Sequence, residues 1–229
     1  MWSIRLRKKG NVIFSKFLNL EKEKRERILN AAMKEFAQNG FDKASTNEIV
    51  KEANISKGLL FHYFNNKKAL FIFLYDYALD IFLNEIYQKI DWNEKDILTR
   101  LRQITLIKFD IFLRHPELFN FIRVAAVENS KQVKKDIELR VNKLTTSSYA
   151  KVYGDIDTTK FKEDIDIKKA ISIIIWTMEG LGNSILEKTK MLSVNEFNFD
   201  EILAELDHYL ELLRNSFYKV KLRSDDNSI

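Results

Sequence analysis

Apolar positions recur along this chain at intervals of three and four residues, almost from end to end. Between Leu20 and Gln38, Ile28, Ala32, Met33, Phe36 and Ala37 form one stripe, with Glu21 and Glu23 in the opening turn where the helix dipole favours acids. Asn39-Gly40 is expected to stop this helix, because glycine takes a left-handed cap without a Cβ penalty. Ser45-Thr46-Asn47-Glu48 reads as a capping box, in which the serine hydroxyl accepts an amide and Glu48 reaches back to the serine N–H. Ile49, Val50 and Ala53 then lead to Asn54, a turn residue. Ser56 is the expected N-cap of a further helix over residues 57–64, with Ile55 and Leu60 stapling its start. Two short helices joined by so short a turn make a helix-turn-helix candidate.

Asn65-Asn66 interrupts the pattern again. Helices are predicted beyond it over residues 67–90, 94–114, 117–129, 131–153, 166–190 and 199–219, with Pro116 in a first turn, where its missing N–H costs nothing. Residues 154–164 read as a loop, and the last ten residues as frayed. One proline, six glycines and no strand-like alternation point to an all-α protein. The expected organisation is an extension (1–20), a three-helix helix-turn-helix domain (21–66), a larger helical domain entered through a long helix (67–220), and a tail (221–229).

Composition narrows the function classes. The absence of cysteine excludes disulfides, thiolate metal sites and cysteine nucleophiles, and fits a cytoplasmic protein. No run reaches the roughly 18 apolar residues of a membrane span, and Lys16 interrupts Val12 to Leu20 with no cleavage site after it, so secretion is not expected. Residues 1–70 hold fifteen Lys or Arg against seven acids, while the remainder is slightly acidic. That asymmetry suits a polyanion-binding module attached to a second domain, although a lysine-rich solvated surface gives the same count. His62, His115 and His208 are far apart. Glu205-x-x-His208 has half the spacing of a di-metal motif without a second copy, and no phosphate loop or nucleophile elbow occurs. No metal, cofactor or enzymatic activity is expected; the alternative to DNA binding is a helical adaptor or small-molecule-binding protein.

Residues 55–64 are the most informative. At 100° per residue Leu60 and Phe64 share one side, while Gly58, Leu59, Phe61 and His62 spread over the other. Such a part-apolar outer face suits a major groove: Leu and Phe meet thymine methyls and sugars, Lys57 reaches guanine, and His62 donates to a base or phosphate. Gly58 lets the helix start approach the backbone closely. Tyr63 on the flank, Lys67 opening the next helix, and Ser45 and Thr46 opening the preceding one are placed for phosphates. Ser45 as a mere cap and Tyr63 as a core aromatic are the competing readings.

The stretch from Lys24 to Leu74, with Ile28-Leu29-Asn30-Ala31-Ala32-Met33-Lys34-Glu35-Phe36, Asn39-Gly40-Phe41, Ser45-Thr46-Asn47-Glu48-Ile49 and Ser56-Lys57-Gly58-Leu59-Leu60-Phe61-His62-Tyr63-Phe64-Asn65-Asn66-Lys67, resembles the DNA-binding domain of the tetracycline-repressor (TetR) family. The resemblance implies an all-α homodimer that regulates transcription, mostly by repression, through a pseudo-palindromic double-stranded DNA operator. It also implies a C-terminal domain that binds a small-molecule effector. By motif position it puts Ser45, Thr46, Tyr63 and Lys67 on phosphates, and Asn47, Lys57, Leu59, Phe61 and His62 at bases or nearby backbone. Phe61 departs from the tyrosine common at its position, which removes a phosphate hydrogen bond. The extension is longer than in many members: a leader, or an arm carrying Arg5, Arg7, Lys8 and Lys9 to DNA.

Helices of the larger domain are apolar over more than one stripe, which indicates burial on several sides. Phe109, Phe112, Phe119, Phe121, Trp176 and Met178 are candidates to line an apolar effector cavity, with Glu179 or Asn183 as polar contacts; packed core is the competing reading. The resemblance further implies a dimer through the last two helices, for which Ile171, Ile174, Ile185, Leu203, Leu206, Leu210, Leu213 and Phe217 offer apolar area. Gly180 and Gly182 allow close approach there.

Overall fold

The computed structural model describes residues 14–190 and 198–219. Its regular elements are α1 (Ser15–Leu18), α2 (Lys22–Lys43), α3 (Thr46–Glu52), α4 (Lys57–Phe64), α5 (Lys67–Lys89), α6 (Ile97–Arg114), α7 (Pro116–Ala126), α8 (Lys134–Tyr153), a 3-10 turn (Thr158–Lys160), α9 (Ile167–Lys190) and α10 (Phe199–Phe217). Among the described residues no strand forms beyond one isolated bridge between Phe161 and Tyr218, and no helix is long and apolar enough to cross a membrane.

The chain folds as two compact units: one runs up to Tyr87 and takes in Asp110–Ser148, the other comprises Gln88–Phe109 and the chain from Tyr149 on. The packing therefore does not divide at residue 67. Helix α7 lies along α2, and the Phe121 ring sits 5.4 Å from Phe71 and 6.2 Å from Phe36. Ile28, Phe36, Phe41, Ile49, Leu60, Phe64, Leu70 and Phe71 complete this core. Each such side chain contributes about 1.5–3 kcal/mol on burial.

Residues 14–20 are part of this unit instead of lying outside it. Phe17 is wholly buried, its ring 4.7 Å from Phe64, 5.5 Å from Phe73 and 5.7 Å from Tyr63. Arg25 donates to the carbonyls of Leu18 at 2.9 Å and Leu20 at 3.5 Å, which holds the end of α1 against the start of α2. Arg5, Arg7, Lys8 and Lys9 lie outside the described residues.

Asn39-Gly40 does break the first long helix. Gly40 has φ +65° and ψ −177°, so residues 41–43 form a separate turn after a kink. The kink folds Phe41 back until its ring lies parallel to Phe36 at 6.3 Å. The Phe41 N–H donates to the Glu128 carboxylate at 2.7 Å, and the same carboxylate would be 3.2 Å from a Cβ on Gly40. A second carboxylate contact, Ser130 Oγ to Asp42 at 2.7 Å, secures this corner.

In the second unit α6, α9 and α10 bury Leu98, Leu101, Ile174, Met178, Leu181, Leu206, Leu210 and Leu213 together. Two charged residues are buried with them. Arg100, with no exposed surface, donates to the Val152 carbonyl at 2.7 Å, to Asp155 at 2.6 Å and to the Glu94 carbonyl. Asp96 caps α6 by accepting the N–H groups of Leu98 and Thr99, and it also meets Lys160 at 2.9 Å and the Tyr218 hydroxyl at 3.1 Å. Burial pushes the Asp96 carboxyl up, but the hydrogen bonds from Lys160 and Thr99 outweigh it and hold the group below its ordinary value. Residues 154–164, expected as plain loop, hold the 3-10 turn. Backbone bonds from Lys162 N–H to the Phe217 carbonyl and from Lys219 N–H to the Lys160 carbonyl, both 2.9 Å, tie them to the chain after α10. That pairing extends Tyr218 and ends α10 two residues short of the predicted 219.

The kink sets a stability test. Gly40→Ala forces a side chain into a backbone region that only glycine populates, at a cost of about 1–3 kcal/mol. The expected result is a lower urea midpoint with an unchanged helical circular-dichroism spectrum below the transition.

Candidate nucleic-acid interface

Helix α3 opens on Ser45, whose Oγ accepts the Glu48 N–H at 3.4 Å. The other half of the expected capping box is supplied differently: the Ser45 N–H donates to Glu35 Oε1 on α2 at 2.7 Å. Glu48 stays exposed, because α2 passes close enough to serve that amide. Ile49 and Ala53 are buried, and Asn54 at φ +52° turns the chain as expected. Ser56 Oγ accepts the Leu59 N–H at 3.2 Å and starts α4. Asn65, at φ +61°, ends it, and Asn66 caps α5 by accepting the Ala69 N–H at 2.8 Å.

Helix α4 is two-sided. Leu60 and Phe64 have no exposed surface, while Lys57, Gly58 and His62 are exposed and Leu59 and Phe61 are half-buried at the margin. Ser45 and Thr46 are half-buried and Asn47 exposed at the start of α3. Two expected phosphate contacts are placed otherwise. Tyr63, expected on an open flank, is only 7% exposed because Phe17 of α1 covers its ring. Lys67 donates to the Asp42 carbonyl at 3.1 Å, with its ammonium 5.0 Å over the Phe41 ring.

Some cations of this unit are neutralised within it and others, Arg27, Lys131 and Lys135 among them, form no ion pair among the described residues. Arg114 is held by Glu85 and Asp110, Arg140 by Asp76, Lys68 by Asp136 and Lys34 by Glu52. Lys43, Lys51 and Lys57 are exposed and form no ion pair among the described residues. Unneutralised cations around a part-apolar helix match the needs of a duplex, whose phosphates supply the missing counter-charge. Gly58 adds a steric observation: a Cβ there would meet no atom within 4 Å, so the fold itself has no need of glycine.

The remaining site residues are dispersed. Phe121 is core, not pocket wall, because α7 packs on α2. Phe112 and Phe119 belong to the same unit, 5.6 Å apart, with Phe82 a further 5.8 Å from Phe119; all three stay half-exposed. Phe109 belongs to the second unit, against Phe199 at 5.2 Å. There Met178 is buried, Glu179 and Asn183 are exposed, and Trp176 is 69% exposed, so it lines no cavity of that unit. The apolar residues proposed for a dimer face are corrected likewise. Ile174, Ile185, Leu206, Leu210 and Leu213 fill the unit's own core, with Ile171, Gly182, Leu203 and Phe217 half-buried at its edge. The large apolar residues left exposed on α9 and α10 are Ile173, Trp176, Phe199, Tyr209 and Leu212, with Gly180 also exposed. The sequence pattern missed this stripe because both helices are apolar on adjoining sides.

The geometry defines a helix-turn-helix DNA-binding unit. Residues 28–73 match the family model for bacterial regulatory proteins, tetR family. The chain is 31% identical over 108 residues, 47% of its length, to the HTH-type transcriptional repressor NicS of Pseudomonas putida, covering 49% of that protein. It is 24% identical over 195 residues to the fatty acid metabolism regulator protein of Bacillus subtilis, covering 81% of this chain and 91% of that one. The chain spans about half the length of the curated relatives it matches at 31% identity. A TetR family transcriptional regulator from Chloroflexus aurantiacus shares the fold, with a TM-score of 0.66 and 21% identity over 90% of this chain and 98% of that one. Residues 28–73 are thus similar to the DNA-binding segment of the tetR family of bacterial regulatory proteins, and the fold of the chain is the one found in a TetR family regulator.

The open space at Gly58 makes its role testable. Gly58→Ala should raise stability by about 0.5–1 kcal/mol, since alanine is the better helix former, and should weaken DNA binding in the same preparation. Urea titration and fluorescence anisotropy read the two effects separately.

Proposed function

We propose that this protein is a ligand-responsive transcriptional repressor that binds a pseudo-palindromic operator as a homodimer and is released by a small hydrophobic effector. The carrying observation is the two-sided α4: Leu60 and Phe64 sealed inside, with Lys57, Gly58 and His62 presented outside among unpaired lysines. Lys57 and His62 read bases or adjoining backbone, Asn47 and Leu59 flank them, and Phe61 makes apolar contact. Ser45 and Thr46 fix α3 on a phosphate strand. The name of NicS supports repression.

A dimer places two copies of α4 on successive major grooves, about 34 Å apart. Its face is the exposed stripe of Ile173, Trp176 and Gly180 on α9 with Tyr209 and Leu212 on α10, since a lone chain gains nothing by leaving this area in water. For the effector, the half-exposed rings of Phe82, Phe112 and Phe119 offer an apolar surface within the first unit. The name of the Bacillus fatty acid regulator is in keeping with an apolar ligand. Such a ligand acts by favouring the dimer state whose recognition helices do not fit one face of DNA, and only by its difference in affinity for the two states.

Two measurements test this reading. Lys57→Ala and His62→Ala should each reduce affinity for an operator selected from random DNA by about tenfold, or 1.4 kcal/mol, with unchanged thermal unfolding. An adaptor or an enzyme shows no DNA binding that falls steeply with salt. Trp176→Asp should shift sedimentation at micromolar concentration from dimer to monomer; a wild-type monomer overturns the dimer.

A further inference from the structure

The short helix α1 has two sides of its own. Phe14 and Phe17, three residues apart, turn inward: Phe14 lies 4.7 Å from Phe73 and 5.9 Å from Phe64, and Phe17 is wholly buried between Phe64, Phe73 and Tyr63. Lys16 therefore points outward and is exposed. Its ammonium donates to Nε2 of His62 at 3.4 Å, the imidazole being exposed on the outer face of α4. No carboxylate pairs with Lys16 among the described residues. An ammonium and an imidazole thus converge on one point of the recognition face without an acceptor of matching charge.

Resting on the DNA-binding reading above, we propose that Lys16 is a DNA-phosphate contact contributed by the N-terminal extension, acting with His62 as a two-point clamp on one backbone phosphate beside the groove that α4 enters. A phosphate oxygen there takes the place of Nε2 as acceptor from Lys16 Nζ and, with the imidazole in the tautomer that carries its proton on Nε2, accepts from His62 as well. The aromatic seat of Phe14 and Phe17 and the Arg25 bonds to Leu18 and Leu20 fix the backbone that carries Lys16 before DNA arrives, so the main chain need not be ordered on binding. The clamp also accounts for the shielding of Tyr63: the helix that covers this motif tyrosine supplies a cation at its edge.

The experiment titrates salt against the affinity of the full chain for a fluorescent duplex of mixed sequence, comparing wild type with Lys16→Ala, Lys16→Arg and Lys57→Ala. Removing one phosphate contact should lower affinity about threefold to tenfold and flatten the slope of log K against log salt by about 0.9 per engaged protomer. Lys16→Arg should restore both, with thermal unfolding equal in all variants. Wild-type affinity and slope in Lys16→Ala, beside a weakened Lys57→Ala, overturn the clamp and leave the DNA-binding reading standing. A lowered melting temperature in Lys16→Ala that Lys16→Arg does not repair assigns Lys16 a packing role and also overturns it. A wild-type protein without salt-dependent binding overturns both readings.

Discussion

An eight-residue helix is too short to persist alone in water, where helices under about 12–15 residues are marginal. Helix α4 exists because Leu60 is sealed in the first unit's core and Phe64 packs against the rings of Phe17 and Phe73. The same burial decides its function. Once those two side chains point inward, the 100° step of the helix leaves Lys57, Gly58 and His62 no direction but outward. Stability and recognition are therefore opposite sides of one constraint, and damage to the aromatic seat removes the recognition surface with it.

That seat is built from non-local parts. Phe17 comes from before α2, Phe73 from α5, and the neighbouring group of Phe36, Phe71 and Phe121 draws on α2, α5 and α7. The Gly40 kink allows the Phe41 ring to join that group and brings Asp42 within reach of Lys67. A DNA-binding domain of α2, α3 and α4 alone would lack most of these partners. The first unit is accordingly larger than the segment that carries the family motif, residues 28–73.

The second unit solves a different problem. Its helices enclose Arg100 and Asp96, and both charges are satisfied by several hydrogen bonds, as burial of an ion requires. Among the described residues no buried side-chain nitrogen or oxygen lacks a partner. With its own interior filled, the unit still leaves Ile173, Trp176, Tyr209 and Leu212 in contact with water. An apolar stripe left over after internal satisfaction is the feature that associating helices share.

The sequence by itself determined the longer helices and α3 and α4, most of the caps, and the two sides of α4, but not α1 or the 3-10 turn. These are short-range matters: a 3.6-residue period, a serine before a helix, an asparagine or glycine where φ turns positive. Tertiary structure alone decided which of several apolar stripes faces inward on α9 and α10, that Phe121 serves the first unit's core, and that Phe17 covers Tyr63 and sets Lys16 beside His62. A helix apolar on adjoining sides satisfies the same local pattern with either side buried. Only the positions of its neighbours in space choose between them.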